Sequence, residues 1–423
     1  MKVWSFVVAL VFLARTGYAL DLPQMQRMAL DNRKVVQRYM VNMEKSEKES
    51  VKARGGYLPS VDVSYTTNSL NRTNLLTGQA KENSVVYGAV SLNLFAGFRD
   101  KYNIKSADLL QQVEARRLQG IRQDIQLNVA LRYLDVYQRQ ANLQVTEDAY
   151  TTLKKLYADG ENRLEVGLID SNELLKIKVD LDNADITLKR AKADLEKGVQ
   201  LLGNEVDAPI TLDELQFAEF KKIPAFGDPV QSETRMLADR SELRALRGLA
   251  EAGLAQVEIA KSDYYPRVDL VGSYTKYDDK YLNGAGNVGS MGENLQAQVV
   301  VSMNLFNGRI TESNVGKATL EARGLRYDLQ EMENTMKTTL KNFYIDYKVS
   351  LDNIRVALEN IEHAKENLRI TQLKYKEGLQ RESDLLDAVT NLSRARYNYV
   401  TVISSAFLDY FQITRMVEGF AGE

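Results

Sequence analysis

Cysteine is absent from this chain of 423 residues, which excludes disulfide bonds, thiolate metal sites and a lipid-modified N-terminal cysteine. Histidine occurs once, as His363 among charged neighbours, and leaves little room for imidazole chemistry. The sequence also offers no nucleotide-binding loop, metal-ligand cluster or nucleophile motif. We therefore expect no metal site, no cofactor and no enzymatic activity. The formal net charge of −2 lacks the basic excess of nucleic-acid-binding proteins, so we expect no nucleic-acid partner.

Proline is scarce as well, and none of the six prolines lies in 98–203 or 305–423. Because proline breaks helix interiors, both stretches can be helical throughout. Their apolar residues recur at intervals of three and four, which is typical of a coiled-coil seam. The sequence therefore predicts two very long helices, followed by return helices at about 170–202 and 382–416.

A long apolar run occurs only at the N-terminus, where residues 1–19 have the pattern of a secretory signal peptide. Lys2 gives the positive start, residues 3–14 are mostly apolar, and Gly-Tyr-Ala at 17–19 forms a small-x-small cleavage site. The run is too short to cross a bilayer as a helix. We therefore expect an exported protein from which this segment is removed.

The rest of the chain carries one pattern twice, 211 residues apart. Leu-Asn-Leu-Phe at 92–95 reappears as Met-Asn-Leu-Phe at 303–306, and Gly167 reappears as Gly378. In both copies 72 residues separate the phenylalanine from the glycine. Such self-similarity indicates an internal duplication. The predicted organisation is a first repeat at 20–203, a linker at 204–240 and a second repeat at 241–423.

Segments that alternate between polar and apolar residues precede each long helix and predict four strands. They lie at about 61–65, 90–94, 268–274 and 299–305. Sheet packed on helices in a soluble protein is one reading, but the export signal and the strand length fit a transmembrane β-barrel better. Four strands cannot close a barrel, and open sheet edges are not tolerated in lipid. Three chains with twelve strands are the economical way to close it.

The alternation also assigns the two faces of these strands. The residues predicted to face a channel lumen are Ser91, Asn93, Ser302 and Asn304. Those predicted to face lipid are Val90, Leu92, Val301 and Met303. A shift of one residue in the strand register would exchange the two sets.

Each long helix is predicted to turn at its glycine, Gly167 or Gly378, and to form a tight helical hairpin. Glycine is expected at any sharp turn, so it says little about function. Leu168 and Leu379 are more informative, because an apolar side chain at an exposed turn has little structural reason to be there, and Val166 belongs to the first tip as well. We interpret the two tips as docking sites for a partner protein.

These features, in this order, resemble the TolC-like outer-membrane efflux proteins over nearly all of 20–423. The helix-to-strand junctions at 54–61 and 262–268, the helix start at 241–247 and the hairpin tips carry the resemblance. It implies an α+β membrane protein whose duplicated strand pairs and hairpins form, as a homotrimer, a 12-stranded β-barrel continuous with an α-helical periplasmic tunnel. It also implies contact with outer-membrane lipid of a Gram-negative bacterium, and as partners a periplasmic adaptor protein and an inner-membrane pump or ABC transporter.

The resemblance further implies a channel entrance and gate near the second tip. Its residues are Tyr375, Arg381, Asp384 and Asp387. The two aspartates share one helix face, and in a trimer they would form two rings of carboxylates that attract cations. Alternatively, they stabilise the helix N-terminus as first-turn acids. Tyr375 either donates a hydrogen bond in the closed gate or simply packs in the coiled coil.

One position departs from the family pattern. The family's gate has an arginine two residues after the tip glycine, whereas this chain has Gln380 there and Arg381 one residue later. The contacts that close the gate are therefore expected to differ from those of the family.

The predicted function is a passive exit duct for efflux or type I secretion, with energy supplied by an inner-membrane pump. The main alternative is a secreted or periplasmic coiled-coil structural or adaptor protein without a pore. A third possibility starts from Asp384 and Asp387, since paired carboxylates also serve glycoside hydrolysis. That chemistry needs a concave pocket, which the tip of a coiled coil does not provide.

Overall fold

The computed structural model of the chain describes residues 20–72, 81–278 and 292–420. The predicted signal peptide at 1–19 lies outside the described residues, as do the central parts of the two polar strand-to-strand loops. Within the described residues, no helix combines the length and the apolar character that crossing a membrane requires.

Among the residues that the structure describes, eight α-helices and four strands follow one another in the order of the two repeats. The helices are α1 (Leu22–Asn32), α2 (Lys34–Arg54), α3 (Arg99–Glu165), α4 (Ser171–Val206), α5 (Pro229–Asp239), α6 (Ser241–Lys261), α7 (Ile310–Lys376) and α8 (Glu382–Met416). The strands are β1 (Ser60–Ser69), β2 (Glu82–Ala96), β3 (Arg267–Asp278) and β4 (Glu293–Ser302). The long helices and the return helices thus lie where the proline-poor stretches predicted them.

Element lengths reveal how far the duplication extends. The long helices α3 and α7 each contain 67 residues, and α2 and α6 each contain 21. Helix α5, inside the predicted linker at 204–240, has 11 residues like α1 and likewise has a proline among its first two residues. Each of these short helices is followed by an arginine with ψ 120°, Arg33 or Arg240, directly before the 21-residue helix. The duplicated unit therefore begins earlier in the second copy than residue 241.

The four strands form one antiparallel sheet in chain order, β1-β2-β3-β4. Pairing of β2 with β3 joins the strand pair of the first repeat to that of the second. Strands β1 and β4 are the two edges, and within the described residues neither edge has a further strand beside it.

The register places most of the polar residues on one face of the sheet, together with Tyr87, Val271 and Val300, and mainly apolar residues on the other. Paired residues on neighbouring strands lie side by side on the same face. Ser91 is paired with Ser60 and Val271, Asn93 with Asp269, and Ser302 with Arg267. The same face carries Asp62, Ser64, Ser273, Thr275, Gln296 and Gln298. The opposite face carries Val61, Val63, Val90, Leu92, Leu270, Tyr274, Val299 and Val301. Most of these apolar side chains are exposed, Val63 to 76%.

Strand β4 ends three residues earlier than predicted, so Met303 and Asn304 lie beyond it. The prediction that Asn304 is a strand residue on the polar face is therefore wrong. Its cause is the neighbouring strand: Ser302 pairs with Arg267, and the next partner would be Pro266, which has no N–H to donate.

The chain divides into two compact units, each built from parts of both repeats. The helical unit comprises the described parts of Met1–Gln37, Gly120–Arg240 and Thr335–Glu423. It contains the ends of α3 and α7, and all of α4, α5 and α8. The strand unit comprises Arg38–Gln119 and Ser241–Asn334, with the sheet and the beginnings of α3 and α7. Both hairpin tips lie in the helical unit.

Candidate functional site at the hairpin tips

The first tip is a five-residue connection from α3 to α4. Gly167 adopts φ +74°, the left-handed conformation that glycine tolerates best. Its N–H donates to the carbonyl oxygen of Leu164 at 2.9 Å, and the N–H of Leu168 donates to that of Arg163 at 2.8 Å. These two bonds define a Schellman motif, which satisfies the last carbonyl groups of a helix.

The second tip, from α7 to α8, repeats this backbone. Gly378 has φ +71°. Its N–H donates to the carbonyl oxygen of Tyr375 at 3.1 Å, and the N–H of Leu379 donates to that of Lys374 at 2.8 Å. Both predicted turns are therefore confirmed, and both use the same motif.

The apolar residues of the tips remain in solvent. Leu168 is 71% exposed, Leu379 is 76% exposed and Val166 is exposed too. In a Schellman motif the residue after the glycine commonly packs on a residue one turn earlier. Here the residues at that earlier position are Arg163 and Lys374, which are charged, and both leucines remain exposed to solvent. Packing within the chain thus gives no reason for leucine at either tip.

The start of the return helix differs between the tips. In the first, the carboxylate of Asp170 accepts a hydrogen bond from the Glu173 N–H at 2.8 Å, which is a standard N-cap. In the second, the equivalent residue is Arg381, whose guanidinium has no acceptor to offer. Arg381 is exposed and occupies the cap position through its backbone alone.

Asp384, the third residue of α8, instead reaches back to the residues that precede the helix. Its carboxylate accepts hydrogen bonds from the side-chain amide of Gln380 at 2.9 Å and from the Arg381 N–H at 3.4 Å. In this chain Asp384 therefore stabilises the helix N-terminus, the alternative weighed from the sequence. Asp387 is exposed and lines a groove with Leu175 and Lys176 of α4. Rings of these aspartates would require further chains and stay a prediction.

Tyr375 is 5% exposed and packs among Leu156, Ile177 and Leu385, so the packing alternative holds within the chain. Its hydroxyl group is buried and has no hydrogen-bond partner in the described part of the chain. Burial raises the pKa of Tyr375, and the nearby Glu173 carboxylate adds to this effect.

Two contacts that the sequence did not predict join the hairpins. The first is an ion pair between Lys176 of α4 and Glu382 of α8, with Nζ and Oε1 2.7 Å apart. Glu382 is buried, and the hydrogen bond from Lys176 holds its pKa below the ordinary value. Glu173 lies beside this pair, where desolvation, followed by its hydrogen bond to Glu382, raises its pKa. Lys176, Glu382 and Glu173 are hereafter called the ionic cluster.

The second contact is made by Arg163 at the end of α3. Its guanidinium donates to the carbonyl oxygens of Tyr375 and Lys376, both at 3.3 Å, and lies 4.8 Å from the centre of the Tyr375 ring. Those carbonyl groups belong to the last turn of α7, where a cation is favourable. Arg163 thus caps the helix of the other hairpin.

A signal for the ionic cluster exists in the duplicated sequence. Lys176 and Asp387 occupy equivalent positions in the two repeats, as do Ser171 and Glu382, and the members of each pair differ in charge. Charge differences between copies mark positions where the copies make different contacts. The sequence alone does not show which residues these positions meet.

Comparison with known proteins gives a consistent result. A family model described as "Outer membrane efflux protein" matches residues 26–202 and 234–414. Alkaline protease secretion protein AprF of Pseudomonas aeruginosa is 22% identical over 429 residues, covering 95% of this chain and 86% of AprF. Outer membrane protein TolC of Vibrio cholerae is 20% identical over 289 residues, covering 66% of this chain and 65% of TolC.

Among solved structures, the CmeC outer membrane channel of Campylobacter jejuni is similar with a TM-score of 0.82. The match covers 94% of this chain and 85% of CmeC, at 15% sequence identity. At this identity the likeness establishes the fold.

Proposed function

The chain belongs to the outer membrane efflux protein family, and from this premise we propose that three copies form one channel through the outer membrane. Membership confirms the predicted exit-duct function and the outer-membrane location. The family consists of channel proteins, and conduction through a channel does not require the protein to make or break covalent bonds. The trimer, its closed barrel and its partners are the parts that we propose here.

The sheet carries the trimer proposal. Its apolar face is exposed along β1 and β4, and both edge strands leave backbone N–H and C=O groups unpaired within the described residues. A lipid environment favours the apolar face but not unpaired backbone groups. Pairing β4 of one copy with β1 of the next satisfies both edges, and three copies supply twelve strands. The polar face, with Ser91, Asn93 and Ser302, then lines the lumen.

The hairpin tips support docking of a periplasmic adaptor protein. Val166, Gly167, Leu168, Gly378 and Leu379 would be the contact residues. Leu168 and Leu379 present exposed apolar side chains on two turns of identical backbone, which a partner with apolar pockets would bury. The adaptor would connect the duct to an inner-membrane pump or ABC transporter that supplies the energy. Since AprF is a secretion protein by its name, protein cargo is one option beside small molecules.

The contacts between the hairpins support a gate at the same end. The ionic cluster and Arg163 hold α8 and the end of α7 against the first hairpin. Loss of these contacts would release the second hairpin and widen the entrance. Asp384 and Asp387 would then contribute negative charge at the opening, while Tyr375 packs the hairpins and Arg381 remains exposed to solvent.

Disulfide cross-linking between β4 of one copy and β1 of the next tests the proposed trimer. Because the chain lacks cysteine, Asp62→Cys in β1 can be combined with single cysteines along β4, such as Gln296→Cys. We expect oxidised outer membranes to yield covalent trimers for the matching register. The control, Ala89→Cys with Ser273→Cys, pairs β2 with β3 inside one chain and should stay monomeric. Recovery of soluble, uncrosslinked periplasmic protein would instead favour the coiled-coil adaptor alternative.

A further inference from the structure

A cavity of about 340 Å³ lies between the hairpins just above the tips. Helix α3 forms one wall, and α7 with α8 forms the other. Its apolar lining consists of the buried side chains Leu156, Leu385 and Val389. A second cavity of about 330 Å³ shares Thr152 and Val389 with it and continues along the same helices. Volumes of this size are typical of sites for small organic molecules.

The charges around the first cavity are mostly positive. Lys155, Arg163 and Lys376 line it, against one carboxylate, Asp159. Arg163 is already engaged with the carbonyl groups of α7, whereas Lys155 and Lys376 are exposed at the rim. The nearby ionic cluster adds two carboxylates, Glu173 and Glu382, and one lysine, Lys176, so the positive groups around the cavity outnumber the negative ones by one. The exposed rim with Lys155 and Lys376 therefore favours an anionic group, and the buried lining of Leu156, Leu385 and Val389 favours an apolar one.

Tyr375 adds an independent observation. It lines the cavity, it is 5% exposed, and its buried hydroxyl lacks a hydrogen-bond partner in the described part of the chain. A buried polar group without a partner is costly, and a native structure rarely keeps one without a reason. An acceptor atom of a bound molecule would satisfy this hydroxyl.

We propose that this cavity binds a small amphipathic carboxylate, with its apolar body on Leu156, Leu385 and Val389 and its carboxylate near Lys155, Lys376 and the Tyr375 hydroxyl. Such a ligand touches α3 on one side and α7 and α8 on the other. Bound there, it holds the two hairpins together. Binding of such a ligand can be measured without transport, so the test of this site does not depend on the proposed channel function.

Binding of naphthalene-2-carboxylate to the full-length protein in lipid nanodiscs tests the site, with empty nanodiscs as the blank. We expect saturable binding of one molecule per chain, and affinity about tenfold lower for the neutral naphthalene-2-carboxamide, because a hydrogen bond to a charged group is the stronger one. Lys155→Gln should weaken carboxylate binding severalfold, whereas Lys154→Gln, one residue away and outside the cavity, should leave it unchanged.

Tyr375→Phe separates binding from packing, since it keeps the ring and removes only the hydroxyl. We expect unreduced thermal stability with several-fold weaker binding of the carboxylate. Equal affinity for the acid and the amide, unaltered affinity of the Tyr375→Phe variant, or no saturable binding at all would each overturn the proposal.

Discussion

The two hairpin tips share one backbone but differ in how they are stabilised. Both turn through a Schellman motif at a glycine with positive φ, and both expose a leucine. The first tip caps its return helix with its own Asp170, whereas the second has Arg381 at that position. The second hairpin instead receives Arg163 at the end of α7 and Lys176 at the start of α8, both from the first hairpin.

From this difference we infer which hairpin moves in the proposed gate. The first tip is complete in its own local hydrogen bonds, while the second relies on groups that belong to its neighbour. Breaking those contacts should leave the first hairpin in place and release the second. The duplication thus kept the turn, which needs only local geometry, and changed the charges that set how the copies interact.

The shared leucines should give the largest effect. Leu168→Asp combined with Leu379→Asp places a charge where the partner's apolar surface is expected, and should abolish export without loss of trimer from the outer membrane. The single variants show whether both tips dock equally. Export is measured in the native host, with Val230→Asp, an exposed valine of α5, as control. Normal export by the double variant would exclude the tips as the docking site.

Charge reversal in the ionic cluster should give the next largest effect. Lys176→Glu puts a third carboxylate beside Glu173 and Glu382 and should raise single-channel conductance in planar bilayers severalfold. The matched control is Lys178→Glu, since Lys178 pairs with Asp182 within its own helix. Equal behaviour of the two variants would mean that the pair between hairpins does not hold the second hairpin.

Acidification should act on the same cluster in two steps. The folded pKa of Glu173 lies above its ordinary value of 4.5, so it takes up a proton first, and folding favours that protonated form. Its repulsion of Glu382 then disappears and the contact tightens. The folded pKa of Glu382 lies below 4.5, so its ion pair stabilises the fold above that value and is lost as the pH falls through the folded pKa.

Conductance should accordingly pass through a minimum under mildly acidic conditions and rise again at lower pH. Lys176 stays charged throughout this range, because its pKa is raised by Glu382 from 10.5. Glu173→Gln should remove the first step and leave the second. A steady rise in conductance from neutral pH downward would contradict this order of protonation.

The helix caps should give the smallest effect and the clearest contrast. Asp170→Ala removes a side-chain N-cap, a loss of about 1 kcal/mol, and should speed hydrogen exchange at the Glu173 amide by about fivefold. Arg381→Ala removes no acceptor and should leave exchange in the first turn of α8 nearly unchanged. Similar acceleration in both variants would show that the tips are capped alike.

Local and periodic features were predictable from the sequence. The absence of proline predicted the long helices, and the two glycines predicted the turns. Alternation of polar and apolar residues predicted the face of the sheet on which Ser91, Asn93 and Ser302 lie. These features depend on neighbours close along the chain or on a fixed period. The end of β4 was missed because it is set by Pro266 on another strand.

The contacts between hairpins were not predictable. Lys176 and Glu382 are 206 residues apart, and Arg163 reaches carbonyl groups rather than a charged partner. No pattern along the chain specifies which of many lysines meets which glutamate. For Tyr375 the sequence left two alternatives. Within one chain the side chain packs in the core and its hydroxyl has no partner among the described residues, while its part in the gate stays a prediction.

The most direct test joins the hairpins covalently. Lys176→Cys with Glu382→Cys places two thiols where the ion pair was, in a chain that has no other cysteine, and a bis-methanethiosulfonate reagent can join them by a reducible bridge longer than a direct disulfide. In planar bilayers, the purified trimer should show low conductance when cross-linked and several-fold higher conductance after reduction. A current that reduction does not alter would contradict a second hairpin held by the first, and the absence of any single-channel current would contradict the exit duct itself.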